Sequence, residues 1–308
     1  MTVNRYCASG LETISIASAK INAGMGEIYV AGGTESMSMI PMTGYKLAPS
    51  YQVARDTPDY VVSMGLTAEA VARKYEITRE QADAFAVRSH ERAAKAISSG
   101  LFADQIVPVE VEEVYVENDK RKSTSKTVTV DEGVRPDTSM EGLARLRPAF
   151  SKGGVVTAGN SSQTSDGAAF VLVVSERVMK ELRLEPIARL AACSVAGVDP
   201  LYMGIGPCAA VPKAVQQAGI KLGDIDLVEL NEAFATQALA VVRTLDIDMD
   251  IVNVHGGAIA LGHPLGCTGA KLSIQLFDEM RRRKSKYGLV TACVGGGQGI
   301  AGVYEFLN

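Results

Sequence analysis

The sequence predicts an α/β fold built on a mostly parallel sheet, and three observations carry that prediction. Strand-like and helix-like segments alternate through the second half, with strands near 188–195, 227–230, 251–254, 288–293 and 300–306 and helices near 207–218, 233–244 and 270–282. Alternation of this kind is the pattern of strand–helix crossovers. Next, the strand ending at Val254 enters its helix through a glycine-rich loop, Gly256 to Gly269, that holds His263 between Gly262 and Pro264. Lastly, a faint internal repeat relates the two halves. Cys7-Ala8-Ser9-Gly10, a helix, a strand and Ala31-Gly32-Gly33 match Cys267-Thr268-Gly269, a helix, a strand and Cys293-Val294-Gly295-Gly296-Gly297.

The composition narrows the function classes. A chain of 308 residues, 47% hydrophobic and 21% charged, buries a large core and reads as about two domains. The net charge of −4 supplies no global basic field, so nucleic acid is not an expected partner. The five cysteines are scattered without a CxxC pair and there are three histidines. That spacing argues against a zinc site or a disulfide scaffold and for a reducing compartment. No apolar run reaches the length of a membrane span, and no apolar segment follows Met1 to Arg5 as a signal peptide requires. Cytoplasmic residence is the expectation.

Taken in order, Thr2 to Asn4 read as the end of a strand, followed by a helix from Leu11 to Ala23 that is apolar almost all round. Gly24 stops that helix. A strand at Ile28 to Ala31 ends at Gly32-Gly33. A buried helix and strand need neighbours on both sides, so further sheet is expected from upstream or from elsewhere. Residues of about 35–150 read as an inserted loop domain. It holds a helix at 67–75, a capping box from Thr78 to Gln81 opening a second helix, and a hairpin of strands 106–116 and 127–130 around a charged tip at 117–122. Small polar residues at 157–168 lead back into the main sheet through a strand at 169–174. Ser175 caps a helix to Leu182, and Glu185-Pro186 marks the boundary between a first domain, 1–184, and a second, 185–308.

The chemistry sits at strand ends and helix starts. Cys7 precedes a helix, where unpaired N–H groups and the helix dipole favour a thiolate; read blandly, it is a small core residue. His263 would titrate near neutrality and take the thiol proton, or else be a structural histidine in a glycine-rich turn. Cys293 ends a strand, and the three glycines after it let backbone N–H groups converge on an oxyanion. Asn231-Glu232-Ala233-Phe234 spans another strand end and helix start. Ligands of open α/β sheets bind outside the carboxyl ends of strands, which is where Asn231, His263 and Cys293 fall together.

Four motifs, in order and spread over Thr2 to Phe306, resemble those of the thiolases: Val3-Asn4-Arg5-Tyr6-Cys7-Ala8-Ser9-Gly10-Leu11, Asn231-Glu232-Ala233-Phe234-Ala235, Gly262-His263-Pro264 with Gly266-Cys267-Thr268-Gly269, and Cys293-Val294-Gly295-Gly296-Gly297. The resemblance implies duplicated sheet domains in five layers, α-β-α-β-α, with an inserted loop domain and a first half incomplete at its N-terminus. It implies acyl transfer between CoA thioesters. Cys7 would carry the acyl group, Cys293 would protonate the leaving enolate, and His263 with a water held by Asn231 would bind one oxyanion. The N–H groups of Cys7 and Gly295 would bind the other. Ser162, Met64 and Arg135 would face the CoA moiety. CoA is then a co-substrate rather than a bound cofactor, no metal is needed, and a homodimer or homotetramer is implied.

The motifs Gly159 to Gly167 and Met203 to Pro207, with Ser63 where many short-chain biosynthetic members have histidine, look more like degradative 3-ketoacyl-CoA thiolases. That points to thiolysis in fatty acid β-oxidation. The biosynthetic acetoacetyl-CoA reaction is the alternative. A ketoacyl synthase shares the fold but typically carries histidine where Cys293 stands. The chain departs from the pattern in having almost nothing before Cys7, so an inactive remnant is the reading from another class.

Overall fold

A computed structural model describes residues 1–46 and 48–307. A short 3-10 turn, Tyr6–Ala8, runs into α1, Ser9–Asn22, and then β1, Ile28–Ser36. The intervening segment carries α2 (Tyr51–Asp56), α3 (Met64–Lys74), α4 (Arg79–Ser98), β2 (Val109–Glu117), β3 (Lys120–Val128) and α5 (Met140–Ala144). The chain returns through β4 (Asp166–Val174) and α6 (Glu176–Glu181) to a second unit. That unit consists of β5 (Ala188–Gly197), α7 (Gly206–Ala218), β6 (Leu227–Leu230), α8 (Ala235–Leu245), α9 (Ala258–Leu261), α10 (Leu265–Arg283), β7 (Tyr287–Val294) and β8 (Gln298–Phe306).

Four expectations need correction. The second unit's sheet is ordered β5-β8-β7-β6, and only β6 and β7 run parallel. A mostly parallel sheet is excluded because β7 and β8 join through the three-residue turn Gly295–Gly297, and so short a link permits only antiparallel pairing. Gly296 and Gly297 take φ of 79° and 84° there, a conformation that glycine adopts without strain.

The strand expected at 251–254 is reduced to one bridge, Val228 to Val252. Asn253 turns away at φ 46°, and its side chain replaces the ladder by bonding both the N–H and the carbonyl of Leu230, each at 2.8 Å. Thr2 to Asn4 pair with no strand among the described residues. Nor is α1 buried all round: Leu11, Ile14 and Ala17 form its buried row, while Ala19 is exposed. A three-residue spacing keeps that row on one face.

β1 and β4 pair antiparallel from Ile28–Val174 to Ser36–Asp166. Tyr29, Ala31, Ala169 and Val171 pack on Ile14, Ala17 and Ala270. The alternate residues Ile28, Val30, Phe170 and Leu172 are exposed. The hairpin of β2 and β3 turns through Asn118 and Asp119, both at positive φ, as a two-residue hairpin turn requires. The Thr78–Gln81 capping box opens α4.

The two members of the internal repeat meet where α1 packs on α10. A Cβ on Gly10 would come within 2.5 Å of the Ala270 nitrogen, so glycine allows the two helix starts to touch. Beneath them, Leu11, Leu272, Leu276, Met280 and Val290 form a continuous apolar layer with no exposed member. This core fixes the carboxyl end of β7 against the turn that carries Cys7.

Candidate active site

Cys7 sits in the 3-10 turn between Arg5 and α1. Tyr6 is held at φ 46°. Ser9 fastens the turn, accepting from the Arg5 N–H at 2.9 Å and donating to the Tyr6 carbonyl at 2.8 Å. The Arg5 guanidinium reaches Gln298 at 2.8 Å and Glu12 at 3.1 Å, tying the turn to the start of β8 and to α1. The Gly295 N–H and the Cys7 N–H both face the Cys7 sulfur. Cys293, at the end of β7, is fully buried and lies close enough for charge on Cys7 to oppose its ionisation. The structure thus brings Cys7, Cys293 and Gly295 together.

The thiol chemistry differs from the expectation of a helix-activated Cys7. Burial pushes its thiol up to about 12, against the two N–H groups that favour the thiolate, and Glu35 adds to the rise. Burial and then Cys7 push the Cys293 thiol up as well. Desolvation outweighs the helix start here, so both cysteines rest as thiols and ionisation needs a base.

His263 follows α9 through Gly262. It is 5% exposed. The expectation of titration near neutrality fails, because burial, followed by the Lys271 cation, lowers it to about 4. At neutral pH it is an uncharged imidazole. Its Nε2 lies 3.2 Å from Asn231 Nδ2, and its Nδ1 lies 2.6 Å from Thr268 Oγ1. Asn231 extends β6, its N–H bonded to the Thr291 carbonyl of β7 at 2.9 Å. That pairing puts it beside the strand end carrying Cys293. Its Oδ1 is enclosed without a protein partner, a buried acceptor suited to a water. No hydrogen bond joins His263 to Cys7 among the described residues.

A buried carboxylate holds the histidine loop in place. Glu232 accepts from Ser89 Oγ at 2.7 Å, Asn253 Nδ2 at 2.8 Å and the Ile259 N–H at 3.2 Å. Ser165 Oγ and the Gln163 carbonyl both receive the His263 N–H. Sequence reasoning passed over Glu232, Thr268 and Glu35, whose carboxylate accepts from the Gly266 N–H at 3.0 Å. The signal was available for Glu232: a carboxylate between a buried apolar strand and an apolar helix has to be satisfied by something.

The residues expected to face CoA are more scattered. Met64, at the start of α3, packs with Cys293, Ala68, Val156, Met203 and Phe234, and its sulfur lies over Gly295. The Ser162 N–H bonds the Ala233 carbonyl at 3.0 Å, which sets its loop beside the Asn231 motif. Arg135 is exposed, and only its backbone is fixed, by His90 Nδ1 at 3.1 Å. Phe150 meets Phe234 edge to face at 6.1 Å, giving an apolar wall near Met64 that the sequence did not single out. No group of side chains suited to a metal ion occurs among the described residues.

Comparison with known proteins accords with this arrangement. The chain is 54% identical to a 3-ketoacyl-CoA thiolase of Bacillus subtilis, covering 99% of this chain and 78% of that one. It is 46% identical to an acetyl-CoA acetyltransferase of Thiocystis violacea, covering 100% of this chain and 79% of that one. The crystal structure of human mitochondrial 3-ketoacyl-CoA thiolase superposes with a TM-score of 0.89 at 42% identity, over 100% of this chain and 78% of that one. The same human enzyme in complex with CoA superposes at 0.88. The thiolase N-terminal domain model matches residues 1–177 and the thiolase C-terminal domain model residues 184–306. Two family models laid end to end across nearly the whole sequence, on a matching fold, make this chain a member of the thiolase family.

Proposed function

We propose that the protein cleaves 3-ketoacyl-CoA with CoA, giving acetyl-CoA and a shortened acyl-CoA, as fatty acid β-oxidation requires; relatives named 3-ketoacyl-CoA thiolase support the reading. The observation that carries the reading is the pair of thiols, half-buried Cys7 and buried Cys293, brought together at the end of β7 with the Gly295 N–H on Cys7. A retro-condensation needs a nucleophile and a separate proton donor for the carbon it releases, and two thiols beside one oxyanion site supply both.

In the first half, His263 Nε2 takes the Cys7 proton and the sulfur attacks the keto carbon C3. The C2–C3 bond breaks, and its electron pair passes to C2 as the enolate of acetyl-CoA. Cys293 gives its proton to C2, and acetyl-CoA leaves. In the second half, the incoming CoA thiol gives its proton to the Cys293 thiolate and attacks the acyl-Cys7 thioester. Cys7 is expelled and recovers the proton from His263. The N–H groups of Cys7 and Gly295 hold one oxyanion; protonated His263, with a water on Asn231 Oδ1, holds the other. Catalytic hydrogen bonds tighten only with substrate in place, so the lack of a direct His263–Cys7 bond is compatible with this route. In this reading Met64 and Ser162, with the Phe150–Phe234 wall, would meet the pantetheine arm, and the exposed Arg135 would meet a phosphate. The chain is proposed to work as a homodimer or homotetramer in the cytoplasm.

The same steps reversed make acetoacetyl-CoA, and the relationship to an acetyl-CoA acetyltransferase favours that as the second reading. The test is incubation with 3-ketoacyl-CoA, peptide mass analysis and comparison of specificity constants across chain lengths. An acyl group on Cys7 and turnover of chains longer than acetoacetyl-CoA are expected. Label on Cys293 or Cys267 instead, or loss of turnover beyond acetoacetyl-CoA, would overturn the assignment or the direction respectively.

A further inference from the structure

We propose that Thr268 is a positioning residue that sets the tautomer of His263, leaving Nε2 as the bare, basic nitrogen. The inference rests on the reading of His263 as the base, and it arises from how few protons are available around the ring. Thr268 Oγ1 lies 2.9 Å from the Pro264 carbonyl and 2.6 Å from His263 Nδ1. A carbonyl oxygen only accepts, and a hydroxyl has one proton to give. With that proton on the Pro264 carbonyl, the contact to Nδ1 can be a hydrogen bond only if Nδ1 carries its own proton and donates it. The reverse arrangement would leave two oxygen acceptors facing each other 2.9 Å apart at a buried threonine, which is costly.

The other side of the ring agrees. Asn231 presents Nδ2 to His263 Nε2, and an amide N–H needs an acceptor there, which is the lone pair of a bare Nε2. The turned-over amide would put Oδ1 against Nε2 and demand a proton on it. In the orientation it has here, Asn231 fits the form that Thr268 selects. Burial first, and then the Lys271 cation on α10, keeps the ring uncharged. Once Nε2 takes a proton from Cys7, the Thr268 oxygen continues to accept from Nδ1–H, so the same contact supports the imidazolium formed in the reaction.

Thr268 also connects cause and geometry. It lies in the first turn of α10, four residues after Pro264, so its back-bond to the Pro264 carbonyl comes with the helix. The short link from His263 to α10 then delivers the ring to it.

The test is nitrogen NMR of the protein labelled in histidine. With His90, His255 and His263 the only histidines, three ring signals are expected. His90 serves as an internal control, because its Nδ1 accepts the Arg135 N–H and its proton must sit on Nε2. In the unsubstituted protein His263 should show the opposite pattern, a protonated Nδ1 and a bare Nε2. Thr268→Val, which keeps the shape and removes the acceptor, should shift the population toward protonated Nε2. It should also slow alkylation of Cys7 by iodoacetamide by about 10²-fold, the usual worth of a general base. Thr268→Ser should restore both.

A protonated Nε2 in the unsubstituted protein overturns the proposal, as does an unchanged tautomer in folded Thr268→Val or a flipped tautomer with normal alkylation. If Thr268→Val does not fold, the unsubstituted spectrum and Thr268→Ser still decide. The readouts use no CoA ester: a protein with the stated tautomer and no thiolysis would refute the proposed function and leave the role of Thr268 standing.

Discussion

Glu229 is expected to destabilise the protein as pH rises, and replacing it with glutamine should remove that effect. The residue lies in β6, is 2% exposed, and its Oε2 has no hydrogen-bond partner. Burial raises its carboxyl from 4.5 to about 8, with the Lys271 cation pulling the other way and Glu232 and Glu279 adding to the rise. The sign follows from proton counting: between those two values the folded state holds a proton that the unfolded state has released, so stability falls as pH rises. At about 1.4 kcal/mol per pH unit the loss reaches about 5 kcal/mol once pH passes the folded value.

That is a large part of a typical net stability of about 5–15 kcal/mol. Glu229→Gln keeps the shape and a neutral side chain throughout. Urea unfolding of both proteins at about pH 4.5 and about pH 8.5 should give near-equal stabilities in acid. In base the variant should lead by several kcal/mol. A difference that does not change between the two pH values would refute the account, because a packing effect has no reason to titrate.

Two further outcomes test the site and its support. Cys293→Ser should still accept an acyl group on Cys7 but lose exchange of the α-protons of acetyl-CoA, measured by deuterium incorporation; normal exchange rules out Cys293 as the proton carrier. Glu279 behaves oppositely to Glu229. Burial pushes its carboxyl up, but bonds from His255 and Arg283 prevail and hold it near 2, below the ordinary 4.5. Its contribution is present above 4.5 and lost as pH falls through the folded value. Glu279→Gln should therefore weaken the protein at neutral pH in urea unfolding, with the difference closing in acid.

The local chemistry of the chain was legible in the sequence. The capping box at Thr78 and Gln81, the Ser175 cap and the all-buried strand 227–230 formed where the residues demanded, because each depends on neighbours a few positions away. The four motifs also carried the family, since their residue types and order are specific without reference to distance. Strand direction was not legible. Three glycines after Cys293 read as an oxyanion loop, and only their turn geometry showed that they also reverse the chain into β8. The strand expected at 251–254 failed because the Asn253 side chain competed with its backbone, a contact 23 residues away in the chain.

For the site, the sequence by itself determined which residues stand at strand ends and helix starts: Cys7, Asn231, His263 and Cys293. The tertiary structure alone decided their protonation. A helix start favours a thiolate and a free histidine titrates near neutrality, yet burial raises the Cys7 thiol to about 12 and lowers His263 to about 4. Desolvation depends on everything packed around a group, and those atoms come from α1, α10, β6 and β7 at once, so no stretch of sequence contains the information. The same holds for the tautomer of His263, set by Thr268 on one side of the ring and fitted by Asn231 on the other.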